Sequence, residues 1–99
     1  MIEVQFTKPK TKTHKLSAIF FENGKKIKTT NFGSKGMSDY TKNKDISRKK
    51  LYLARHKKRE NWNDYKSAGA LSRWILWNKT TLESSIVDYI KRFKLKRKK

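Results

Sequence analysis

The chain has 99 residues, of which 27 are lysine or arginine and only 8 are aspartate or glutamate, so its formal net charge is +19. Composition of 34% hydrophobic and 12% aromatic residues allows one modest core built on a few large rings. The absence of cysteine excludes disulfides, thiolate nucleophiles and cysteine-based zinc sites.

The first third reads as β-structure. Ile2, Val4 and Phe6 alternate with Glu3, Gln5 and Thr7, the pattern of a strand with one buried face. Pro9 and the lysines around it break that strand. In KLSAIFFENGKKIKTTNF, Asn23-Gly24 is a strong hairpin signal, because the tight turn requires positive φ at both central positions. The expectation is a three-stranded antiparallel meander over Ile2–Phe6, Leu16–Phe21 and Lys26–Phe32, with its apolar face covered by later helices. Gly33 and Gly36 bracket a short segment after it. A connector is favoured there over a phosphate cradle, since the Gly-Lys-Ser/Thr ending of a P-loop is missing.

The remainder reads as three or four helices packed on one face of the sheet, an α+β domain over residues 1–93. Asp45 is placed to cap a helix over Ile46–Arg59, with a thin stripe of Ile46, Lys50, Leu53, Ala54 and Lys57. Ser67 can cap a helix from Ala68 to Trp77. Thr80 and Glu83 match a capping box opening a helix whose stripe is Leu82, Ile86, Ile90 and Phe93. Those residues, with Leu71, Trp74 and Trp77, are the expected helical core. Trp74 and Trp77 lie three apart, so one helical face carries both, and core is favoured over a base-stacking platform. The basic run 94–99 is expected to be a flexible tail.

Charge supplies the functional reading. Self-repulsion at this net charge opposes compaction, so part of it is expected to be neutralised by a polyanionic partner. The expected phosphate contacts are Arg48, Lys49, Lys50, Arg55, Lys57, Lys58 and Arg59, with Lys94, Lys96, Arg97, Lys98 and Lys99 as a mobile clamp. Trp62 stands apart from other apolar residues and is a candidate for stacking on a base or a partner, with packing on the hairpin as the alternative. A helix-turn-helix is rejected: the second helix offers Leu71, Trp74, Ile75 and Trp77 where base-reading polar residues belong. Backbone-directed binding without strong sequence specificity follows, and charge alone does not separate DNA from RNA. No enzyme is expected. His14 and His56 sit among cations without a sequence-local carboxylate to orient them, the acids are scattered, and no metal site or cofactor is suggested. No apolar run approaches the ~20 residues of a membrane span, and MIEVQFTKPK lacks the apolar centre of a signal peptide, so secretion is not expected.

Three blocks, NFGSKGMSDYTKNKD, RKKLYLARHKKRENW and SAGALSRWILWNKTTLESSI, resemble those of a family of small basic proteins encoded by large nucleocytoplasmic DNA viruses, of the giant-virus and chlorella-virus kind. The likeness runs from about Gly24 to Phe93. It implies a viral protein found in the virion, the host cytoplasm or the viral factory, and it brings no catalytic residues. Two roles compete within that context. One is binding of viral DNA; the other is a minor capsid protein whose basic face meets acidic capsid proteins or the inner membrane surface.

Overall fold

The computed structural model describes residues 1–98. The chain is α+β, with a four-stranded mixed sheet ordered β3-β2-β1-β4 and helices against one side of it. Strands β1 (Ile2–Thr7), β2 (His14–Glu22) and β3 (Lys25–Ser34) form the expected antiparallel meander. Asn23 and Gly24 take φ of 52° and 79°, the left-handed pair that a two-residue hairpin demands. Alternation puts Val4, Ala18, Phe20 and Phe32 in the core, while Ile19 and Phe21 lie on the other face, half-buried.

The end of the chain departs from expectation. Lys96–Arg97 forms a short fourth strand, β4, parallel to β1, so the sheet is mixed and the described part of the tail is docked instead of free. Lys94 turns the chain with φ of 54°, the Leu95 side chain is buried, and the Lys98 amide donates to the Val4 carbonyl at 2.8 Å. An apolar residue inside a cationic run is what anchors it.

Helix α1 (Tyr40–Asn43) is one turn capped by Asp39. Helix α2 spans Ile46–His56, shorter than expected, and Asp45 caps it by accepting from the Ser47 and Arg48 amides. Its buried residue is Tyr52, which missed the expected stripe; Ile46 is exposed. Helix α3 (Ala68–Leu71), capped by Ser67, runs into a π-helical turn over Ser72–Leu76, closed by the Trp77 amide donating to the Ser72 carbonyl at 3.0 Å. This wider turn sends the two tryptophans apart. Trp77 is buried and stacks on Tyr52 with ring centroids 4.4 Å apart. Trp74 is half-buried, edge-on to Phe93 and flanked by the guanidinium groups of Arg73 and Arg92.

Helix α4 (Leu82–Arg92) is capped by Thr81, one residue later than expected, through the Ser84 amide. Leu82, expected in the core, is 38% exposed because it opens the helix at its outer end. Ser85, Ile86 and Tyr89 hold the centre of the buried face, with Ile90 and Phe93 packed beside them. The Tyr89 hydroxyl donates to the Tyr65 carbonyl at 2.6 Å, and burial drives its pKa far above the ordinary phenol value.

Candidate nucleic-acid interface

Two sets of cations share α2 and the turn that follows it. Helical geometry separates them: residues seven apart lie two turns along one stripe, about 10.5 Å in rise. Arg48 and Arg55 stand in that relation beside Tyr52, and Arg59 follows on the same side from the turn after the helix. Lys50 and Lys57 repeat the same spacing on the outward side, with Lys58 beside them. All six are exposed. Among the described residues none of their side chains forms an ion pair; the ion pairs there join Asp39 to Lys15, Glu60 to His56, Asp88 to Arg92 and Glu83 to Arg97.

The arginine stripe forms one wall of a cleft of about 500 Å³. The opposite wall comes from the start of β2 and the end of β3, with Lys15, Gly33 and Ser34, followed by Met37 and Ser38. Gly33 has φ of 78°, the left-handed region that favours glycine, and a Cβ there would come within 2.7 Å of Leu76 Cδ1 on the π-turn. Tyr52 contributes the floor. It is sandwiched between Trp77 and His56, whose ring lies 4.1 Å from its own. Burial, followed by the nearby charge of Glu60, pushes the Tyr52 phenol well above its ordinary pKa.

The cleft contains two carboxylates, and both are committed. Asp39 is buried and accepts from Lys15 Nζ at 2.5 Å, from the Thr41 amide at 3.0 Å and from the Thr41 hydroxyl. Glu60 accepts from His56 Nδ1 at 2.9 Å and from Trp62 Nε1 at 3.0 Å. The Glu60 contact corrects the expectation that neither histidine has a carboxylate close in sequence; the partner is four residues on, one helical turn away. Arg48, Arg55 and Arg59 are therefore uncompensated cations in a concave surface, the arrangement that attracts phosphate.

The other expected contacts are used differently. Lys49 points inward, donating to the Asn78 carbonyl at 2.7 Å and lying 4.7 Å from the centre of the Tyr40 ring. These contacts join α2 to the body and take Lys49 out of the phosphate-facing set, and burial, followed by the charges of Arg73 and Lys79, lowers its pKa. Arg97 is bound to Glu83 at 2.6 Å, and Lys98 lies 5.1 Å from the centre of the Phe21 ring. Lys94 and Lys96 are exposed; Lys99 lies outside the described residues. Because β4 occupies the sheet edge opposite β3, the tail cations are not brought together with those of the cleft. Trp62 is half-buried and tethered to Glu60, with the Arg73 guanidinium 5.2 Å from its ring.

Met37, Leu51 and His56 belong to the cleft and were not anticipated there. One signal for this grouping exists in the sequence: α2's arginines repeat on one stripe while its outward lysines keep to another.

Fold and surface together define a small, strongly basic α+β protein with an arginine-walled cleft beside a lysine-rich helical face. No helix among the described residues is long and apolar enough to cross a membrane. Residues 4–56 match the model of a family described as "Family of unknown function (DUF5754)", and as this is more than half of the chain, the protein belongs to that family. The match takes in the meander, α1 and α2, and leaves Arg59, Trp62, the π-turn and α4 outside it. No curated protein and no solved structure matches the chain.

Proposed function

We propose that this protein is a non-enzymatic nucleic-acid-binding protein that engages phosphates without strong sequence specificity. The observation that carries this reading is the set Arg48, Lys50, Arg55, Lys57, Lys58 and Arg59: exposed, concentrated on one helix and its exit turn, and without an ion-pair partner among the described residues. Each phosphate such a residue neutralises releases condensed counterions, which makes binding entropically favourable and steeply salt-dependent. The resemblance to small basic proteins of large DNA viruses supports viral DNA as the polymer and the virion or viral factory as the setting.

The test is a salt series with a labelled random-sequence DNA duplex, beside a variant with Arg55, Lys57, Lys58 and Arg59 changed to Ser. If about five phosphates are engaged, log K falls against log salt with a slope near −4.5, and the variant's slope is shallower by about 0.9 for each phosphate it no longer neutralises. Feeble binding, or a variant that binds like the parent, defeats the reading. A second reading would then take its place, a minor capsid component. Ile46 and Leu51 favour it, because both are more than half exposed on the same cationic helix and suit a protein neighbour.

A further inference from the structure

The two cation sets differ in chemistry as well as position. Arginines, with planar forks that grip phosphate through two hydrogen bonds, line the cleft, whereas the lysines Lys50, Lys57 and Lys58 do not line it. The cleft's apolar surface also differs from that of the outward face. Leu51 and Met37 are 62% and 65% exposed at its rim, and His56, the outer ring of the Trp77–Tyr52–His56 stack, has about a third of its side chain open. A duplex buries its bases and is too broad for a cleft of about 500 Å³, a size that suits a nucleotide. An unpaired strand presents both things this surface accepts: phosphates at short intervals and free base faces.

We infer that the cleft between α2 and the end of β3 binds an unpaired segment of nucleic acid, with phosphates on Arg48, Arg55 and Arg59 and a base against His56, Leu51 and Met37. The protein accordingly prefers single strands, and the outward lysines serve duplex or non-specific contact. This rests on the nucleic-acid reading proposed above and specifies its substrate.

The floor explains why the site is preformed. Tyr52 is clamped on both faces by aromatic rings, so the arginine wall is held at a set distance from Gly33 and Ser34. Asp39 is paired with the Lys15 ammonium, and the Glu60 oxygens face His56 Nδ1 and Trp62 Nε1, so neither carboxylate pairs with the arginines.

The experiment compares a labelled oligothymidylate of about ten nucleotides, within the usual span of single-strand sites, with a duplex of equal length at matched salt. Three proteins are measured: the parent, a variant with Arg48→Lys, Arg55→Lys and Arg59→Lys, and a Leu51→Glu variant. The lysine replacements keep every formal charge and affect only exposed side chains. The parent is expected to bind the single strand about tenfold tighter than the duplex, since each two-point contact and each stacked base adds to the former alone. The lysine variant should lose about tenfold on the single strand with an unchanged salt slope, and hold its duplex affinity. Leu51→Glu should likewise weaken the single strand more than the duplex. If the lysine variant matches the parent on the single strand, or the parent shows no single-strand preference, the cleft assignment is overturned while duplex binding, and the reading beneath it, stands. Absence of binding to either polymer removes that underlying reading, and the cleft assignment with it.

Discussion

Replacing Tyr52 tests whether α2, which carries most of the proposed interface, is fastened by one aromatic stack. Tyr52 is the buried residue of the helix, with Trp77 4.4 Å away on one side and His56 4.1 Å away on the other. Tyr52→Leu keeps an apolar side chain in place but removes two stacked pairs, each worth roughly 0.5–1.5 kcal/mol beyond burial, so a loss of about 1–3 kcal/mol is expected. Tyr52→Ala also opens a cavity against Trp77 and should cost about 3–5 kcal/mol. The net stability of a domain is on the order of 5–15 kcal/mol, so the alanine variant gives up a large share of it. Urea unfolding followed by tryptophan fluorescence gives the global change. Amide hydrogen exchange across Ile46–His56 shows whether α2 opens before the sheet. If Tyr52→Ala costs less than about 1 kcal/mol, with α2 amides as protected as the parent's, the stack is not the fastening and the cleft's geometry has another origin.

Two further outcomes follow from the ion pairs. Asp39→Asn removes the charge facing Lys15, whose side chain is only 11% exposed, and leaves that ammonium without its counterion. The expected cost is about 3 kcal/mol, read as a lower urea midpoint with an unchanged slope. For Glu83, the hydrogen bond from Arg97 holds the carboxyl below its ordinary value of 4.5. A depressed carboxylate pKa contributes stability that is fully present above 4.5 and is lost as pH falls through the lower folded value. The protection factor of the Lys98 amide, which donates to Val4, should therefore fall through that acid window in the parent, with no such step in Glu83→Gln.

Short-range signals wrote much of the fold into the sequence. The hairpin turn could be placed because Asn23 and Gly24 are among the few residues that take positive φ cheaply, and the strands because burial on one face imposes a period of two. Asp45 and Ser67 could be placed as caps because an orphaned helical amide needs a side-chain acceptor within three residues. The cationic surface was visible for the same reason: exposure of Arg48, Lys50, Arg55, Lys57, Lys58 and Arg59 needs nothing from the rest of the chain beyond a helix too charged to bury.

Partners distant in sequence decided the rest. β4 exists because Leu95 finds the core and the Lys98 amide finds Val4, so a lysine-rich run that reads as mobile becomes ordered. The π-turn at Ser72–Leu76 separates Trp74 from Trp77 and gives the latter to Tyr52, a pairing that helical spacing alone conceals. Lys49 and Arg97 leave the free cations only when Asn78 and Glu83 are brought to them. Composition determined that the molecule carries far more cations than its own carboxylates can neutralise. Tertiary packing alone decided which cations remain unpaired and that three arginines share a concave wall, because charge is a property of residues and compensation is a property of their neighbours.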